Sequence, residues 1–230
     1  MSSDIRDNSG LLDVLQTAIQ HQANGQMIEA IRHYKQAIEM QPDCNIALKN
    51  LADLYYQRGL LGAAIKTYQQ IIERHPKFVG ARYGLGICYY RKGEFARARE
   101  HFEKGLEHCP DCAMAYYWLG LADYHLGNTE ISESHYRQLL SKSPISAVAH
   151  YHLGVLLDSR GKWEEAVEHF KRLIELHPSS VPSRYHLGNI LRKMGRTMEA
   201  IKVLKEAHDL NPEEERIKEA LEYLTNVGEP

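Results

Sequence analysis

His108-Cys109-Pro110-Asp111-Cys112 sets two thiols three positions apart behind an imidazole. That spacing serves either a dithiol–disulfide couple or half of a zinc site. Zinc is poorly served, because His108 makes only a third ligand and the chain's four cysteines include no second pair of this kind. A redox role for Cys109 and Cys112 stays open, since Cys112 stands near a predicted helix start, where a thiolate is favoured. The plain alternative is a turn decorated by two cysteines, because Gln41-Pro42-Asp43-Cys44 has the same turn chemistry with one. Elsewhere no nucleophile is paired in sequence with a base and an orienting acid. No glycine-rich phosphate loop and no His-Glu-x-x-His spacing occurs. The expectation is a non-enzymatic chain without cofactor or metal.

The elements that position the cysteine motif repeat with a fixed beat. Pro42, Pro76, Pro110, Pro144, Pro178 and Pro212 follow one another at intervals of 34, and Gly25, Gly59, Gly93, Gly127, Gly161 and Gly195 keep the same interval. Pro110 is the middle of the cysteine motif, so the motif sits in a recurring turn. Before and after each glycine, apolar residues recur at three- and four-residue spacings, which predicts a helix on either side. Glycine supplies the turn within each hairpin, and proline ends the second helix. The predicted boundaries are a polar tail over 1–10, six hairpins over 11–44, 45–78, 79–112, 113–146, 147–180 and 181–214, a capping helix over 215–227 and a tail over 228–230.

Leu85-Gly86, Tyr89, Ala98, Phe102 and Pro110 in the third unit, with Leu153-Gly154, Ala166, Phe170 and Pro178 in the fifth, resemble the tetratricopeptide repeat family in order and spacing. The resemblance covers some nine-tenths of the chain. It implies an all-α fold, a right-handed α-solenoid of six 34-residue helix-turn-helix repeats closed by the C-terminal helix. Two departures stand out. The family's first-helix tryptophan is replaced by Val14, Leu48, Arg82, Tyr116, His150 and Arg184, which predicts looser packing there. In the fourth unit Asp123 occupies a row otherwise filled by His21, Tyr55, Tyr89, Leu157 and Leu191, while Ser132 interrupts a row of alanines. A carboxylate on that packed face needs a partner, and Ser132 is a candidate.

The resemblance further implies that the first helix of each unit lines a concave ligand-binding wall. By phase, one row of that wall runs Leu15, Lys49, Tyr83, Tyr117, Tyr151, Tyr185, and a second runs Gln22, Tyr56, Tyr90, Tyr124, Asp158, Arg192. Asn50, Trp118, His152 and His186 flank the first row, Arg91, His125 and Lys193 flank the second, and Leu121 and Asn189 lie between. Tyrosine and tryptophan give large contact area for little side-chain entropy. A partner covering roughly 100 Å² on each of three tyrosines would gain about 7 kcal/mol before association costs of similar size. His152 and His186 stand one repeat apart, too far for one metal ion. Some members of the family clamp chaperone C-termini with lysine, asparagine and arginine; Asp53, Gly84, Met114 and Trp118 stand where that clamp wants amide or basic groups, which argues against a co-chaperone.

Net charge is −2 and the sequence pI about 6.7, so no basic field favours nucleic acid or an anionic membrane. A near-zero charge permits self-association. No basic run leads an apolar core at the amino terminus, and no apolar stretch approaches a membrane span, so the expected location is the cytoplasm. The expected function is an adaptor that binds an extended segment of another protein in a tyrosine-lined groove. The alternative is a self-assembling homo-oligomeric scaffold in which Leu12, Leu15 and Ile19 dock into a neighbour's groove, as the family's bacterial organelle-coat members suggest.

Overall fold

The structure, a computed structural model, describes residues 3–226, and side chains from residue 9 to residue 225. The described residues form helices joined by short turns: α1 (Ser3–Ala23), α2 (Met27–Met40), α3 (Asn45–Gln57), α4 (Leu61–Arg74), α5 (Val79–Arg91), α6 (Phe95–Leu106), α7 (Ala113–His125), α8 (Thr129–Lys142), α9 (Ala147–Ser159), α10 (Trp163–Leu176), α11 (Val181–Lys193), α12 (Thr197–Leu210) and α13 (Glu215–Asn226). They fall into two compact units, Met1–Leu126 and Gly127–Pro230. The first holds α1 to α7 and the second α8 to α13.

Each hairpin turns on a glycine at positive φ, between 72° and 80° at all six positions. A side chain there would strain the backbone, so the 34-residue glycine beat records a steric requirement. At Gly59 the N–H reaches Tyr56 O at 2.9 Å and the Leu60 N–H reaches Tyr55 O at 2.8 Å, which closes the last turn of α3. The proline turns are alike too: Cys44, Phe78, Cys112, Ser146, Ser180 and Glu214 each donate a backbone N–H to the carbonyl three residues earlier, at 2.9 to 3.3 Å.

In unit 1, α1 packs on α2, α3 on α4 and α5 on α6, and each hairpin packs on the next through α2 and α3, α4 and α5, α6 and α7. In unit 2 the same order runs from α8 on α9 to α12 on α13. Ala30, Ala64 and Ala98 in unit 1, and Ser132, Ala166 and Ala200 in unit 2, are fully buried where helices approach closely. One turn further along the same helices lie Tyr34, Tyr68 and Phe102 in unit 1 and Tyr136, Phe170 and Leu204 in unit 2, all buried. Fully burying such a side chain contributes about 1.5–3 kcal/mol.

Three expectations change. The polar tail placed over 1–10 is helical from Ser3, because α1 runs back beyond the first repeat boundary; the tail over 228–230 lies outside the described residues. Leu15 does not join Leu12 and Ile19 on an open face: it is 7% exposed and packs with Leu11, Ala18, Ala30 and Tyr34, whereas Leu12 is 64% and Ile19 50% exposed. The positions that lack the family's tryptophan are also not simply looser. There Arg82 Nε donates to Pro76 O at 2.8 Å, Tyr116 Oη to Pro110 O at 3.1 Å, and His150 Nε2 meets Pro144 O at 3.0 Å. Polar ends thus tie the first helix of three hairpins to the proline carbonyl of the turn before it.

Candidate functional site

Unit 1 brings together Lys49 and Tyr56 of α3, Tyr83 of α5 and Tyr68 of α4 around a pocket of about 320 Å³, whose lining also includes Asp53, Gly80, Gly84 and Ile87. Asp53 stands at its base. Lys49 Nζ donates to Asp53 Oδ2 at 2.5 Å, and the Tyr68 hydroxyl donates to Asp53 Oδ1. Gly84 makes that second bond possible, because a Cβ there would lie 2.2 Å from Tyr68 Cζ and 2.6 Å from its hydroxyl. Burial and the neighbouring Asp53 carboxylate push the Tyr68 phenol well above its usual range. Burial first, and Asp53 second, raise the Cys88 thiol to about 12, so Cys88 stays protonated and inert.

One repeat earlier, Asn50 Nδ2 donates to Tyr34 Oη at 3.2 Å and Tyr34 Oη to Gln22 Oε1 at 2.7 Å. One repeat later, the polar floor gives way to packed rings. Tyr90 contacts Phe95, Trp118 and His125 at 5.3, 5.4 and 5.5 Å between centroids, and Trp118 stacks on Phe102 at 5.7 Å. Burial raises the phenols of Tyr83, Tyr90 and Tyr117. At the rim, Arg91 Nε donates to Tyr56 Oη at 2.9 Å, with its guanidinium 5.5 Å from the ring centroid.

In unit 2 the equivalent wall is closed by imidazoles. His152 stacks on Tyr136 at 5.4 Å and His186 on Phe170 at 5.1 Å, both within 8° of parallel. Burial lowers both pKa values, so both rings are neutral near pH 7. Tyr151 Oη lies 3.3 Å from His186 Nε2, Lys193 Nζ bonds both Asp158 oxygens at 2.8 Å, and Arg192 covers the Tyr223 ring at 5.4 Å. Tyr185 meets His186 edge-on, and Asn189 is half-buried beside them.

Cys109 and Cys112 are joined by a disulfide across the α6–α7 turn, so they do more than decorate it. Among the described residues no group of three or more His, Cys, Asp or Glu is placed to hold a metal ion. Asp123 is fully buried, and Arg99 Nε lies 3.6 Å from its Oδ1, an ion partner contributed by α6.

Two family models match the chain. The one described as Tetratricopeptide repeat matches residues 15–77 and 61–111. The chain belongs to the tetratricopeptide repeat (TPR) family. Its later part also falls within the family described as Regulator of microtubule dynamics protein 1-3, matched over residues 96–227, more than half the chain. No curated protein matches. Among solved structures, this TPR chain resembles YrrB, titled a TPR protein with an unusual peptide-binding site, with a TM-score of 0.71 and 23% identity over 82% of this chain and 97% of that one. It resembles MamA with a TM-score of 0.67 and 24% identity over 74% and 92% of the two chains. PilF of Pseudomonas aeruginosa gives a TM-score of 0.78 with 12% identity over 93% and 97%. At such identities these likenesses speak for the all-α TPR solenoid fold alone.

Within the TPR rows, Lys49, Asn50, Tyr56, Tyr90, Tyr117 and Trp118 are half-buried in unit 1, Tyr124 is 43% exposed, and Arg91 and His125 are exposed. One expected wall residue leaves the wall and another turns part of its ring inward. Leu121 is 8% exposed and belongs to the packed face; Tyr83 still lines the pocket but lays its ring over Gly105 with its hydroxyl buried. Asp53, Tyr68 and Gly84 were absent from the expected site although they build its floor. The signal was present in the spacing, since Asp53 lies one helical turn beyond Lys49 on the same face. The further condition, a glycine that lets a tyrosine from another helix reach that carboxylate, needs three dimensions.

Proposed function

We propose that this TPR chain is a non-catalytic adaptor that holds an extended segment of another protein against the first-helix wall of unit 1. The observation that carries the reading is the pocket between α3 and α5, about 320 Å³, with a carboxylate and a lysine at its base and tyrosines on its sides. Such a pocket has the size of one large side chain and, beside Asn50, offers donors and acceptors to a main chain. YrrB lends weight, since it is described as a TPR protein with an unusual peptide-binding site and has the same fold. No helix among the described residues is long and apolar enough to cross a membrane.

The test is selection of binders from a displayed random-peptide library, followed by fluorescence anisotropy with a selected peptide. Replacing both Tyr56 and Tyr124 by alanine should weaken that peptide at least about tenfold while leaving helicity unchanged. Undiminished binding by a well-folded double variant would exclude the wall as the site.

A second reading is supported by Leu12 and Ile19, which stay exposed on α1. Copies of the chain associate through that helix and form a scaffold. Light scattering after size exclusion decides it: the chain should exceed monomer mass, and Leu12→Lys with Ile19→Lys should return it to monomer. A wild-type monomer at high concentration rules the scaffold out.

A further inference from the structure

We infer that the pocket between α3 and α5 receives an arginine side chain, its guanidinium on the carboxylate of Asp53 and its flat face along Tyr56. This rests on reading unit 1 as a peptide-binding wall and names what that wall selects.

The carboxylate is the first ground. Asp53 stands where the next two repeats carry Ile87 and Leu121, and its side chain keeps 29% of its surface. Each of its oxygens already accepts one hydrogen bond, from Tyr68 or from Lys49, and each retains a second lone pair. The Tyr68 bond fixes the carboxylate's orientation. Lys49, by contrast, is an exposed neighbour on the same helix, four residues away and itself 39% exposed, which is among the weaker kinds of ion pair. An incoming guanidinium, which presents two parallel N–H donors, can replace it with better geometry.

The walls are the second ground. Tyr56 carries the guanidinium of Arg91 on its hydroxyl and one ring face, so an incoming guanidinium lies along the other face or displaces Arg91. Opposite, α5 presents Gly80, where an added Cβ would come no closer than 3.4 Å to Phe78 and 3.7 Å to Lys49 Cε. That wall is thus low, its surface formed by the backbone of α5 with Phe78 and the Lys49 stem in contact beside it. Gly84 leaves its own space to the Tyr68 phenol, which holds Asp53 in place. An anionic ligand could use Lys49 and Arg91 at the rim, but it would have to sit over the Asp53 carboxylate.

Those two ligand charges predict opposite signs for one substitution, and the test uses that. The probe is N-acetyl-arginine methylamide titrated into the uniformly ¹⁵N-labelled full chain, beside its citrulline analogue, which has nearly the same shape without the charge. Amide shifts should concentrate in α3 and α5. Asp53→Asn, which keeps an acceptor for Tyr68, should weaken the arginine probe about tenfold or more, and citrulline should bind wild type about as poorly. Lys49→Gln should strengthen the arginine probe about twofold, because the internal competitor is gone. Weaker binding in Lys49→Gln, indifference to Asp53→Asn, or equal binding of citrulline overturns the proposal. Library-selected peptides that need Tyr56 but neither arginine nor Asp53 would keep the groove and overturn the arginine site. The reverse result, correct probe signs with no peptide selected, would keep the site and remove the groove.

Discussion

Units 1 and 2 share a hairpin plan, yet one column of side chains gives them different floors. Where the first helix of a hairpin faces the buried ring of the hairpin before it, unit 1 has Asn50 at Tyr34, Gly84 at Tyr68 and Trp118 at Phe102. Unit 2 has His152 at Tyr136 and His186 at Phe170, each stacked nearly parallel. At the first two positions of unit 1 an amide and an absent side chain leave the tyrosine hydroxyls bonded to polar groups, Asn50 and Gln22 for Tyr34 and Asp53 for Tyr68. A neutral imidazole covers each ring in unit 2 instead. The same backbone thus carries a polar floor or a ring-covered one, and the choice is local. The turns differ in the same spirit: Ser146 and Ser180 accept hydrogen bonds from Ala149 N and Ser183 N and so cap α9 and α11, whereas Cys44, Phe78 and Cys112 give α3, α5 and α7 no side-chain cap.

The largest break in that comparison comes from giving unit 1 the residue of unit 2. Gly84→His should cost about 3 kcal/mol in denaturant unfolding, since the Tyr68 phenol fills the space the new side chain needs and must give up Asp53. A stable variant would mean that Tyr68 has another place to go. Reducing Cys109–Cys112 should cost less, at most about 2 kcal/mol, because the loop it closes is very short. The other proline turns keep the same backbone bond without a disulfide, so reduction should lower the melting temperature without removing helicity. Removing the imidazole from unit 2 is smaller again. His186→Ala should cost about 1–1.5 kcal/mol, the scale of a stacked aromatic pair, and should open the Phe170 ring to solvent.

The repeat, its phase and the hairpin turns were legible in the sequence because each rests on a steric requirement at a single position. Glycine at positive φ and alanine at a close helix approach leave marks that recur every 34 residues. The exposed face of α1 was legible only in part, since the position of Leu15 between Leu12 and Ile19 does not say how far the buried stripe reaches. Leu121 joins the packed face and the Tyr83 ring leans inward for a related reason: phase gives the direction of a Cβ, while the small Gly105 decides where the Tyr83 ring then goes. Arg82, Tyr116 and His150 looked like missing tryptophans. Their hydrogen bonds to proline carbonyls depend on side-chain reach, which spacing alone does not encode.

The subtlest distinction between the units lies in acid. In unit 2, His169 Nδ1 lies 2.9 Å from His150 Nδ1, and His150 Nε2 meets Pro144 O at 3.0 Å. The carbonyl can only accept, so His150 carries its proton on Nε2 and His169 donates from Nδ1. Burial, then the neighbouring His150 and Arg137, lower His169 to about 4 against the opposing pull of Glu165 and Glu168. His152 and His186 are lowered by burial in the same unit, while in unit 1 His101 is the histidine so lowered among the described residues. A folded pKa below the unfolded value means that the unfolded chain takes up protons first as pH falls. The contribution is therefore whole above about pH 6.5, declines toward about pH 4 and changes no further below it. Solvent still reaches the His169 ring, so its share is discounted to about 1 kcal/mol. Hydrogen exchange of α9 to α11, corrected for intrinsic rates and compared between about pH 7 and about pH 5, should lose more protection than α3 to α5. His169→Gln should shrink the difference. Equal losses in the two units would show that buried imidazoles do not separate them.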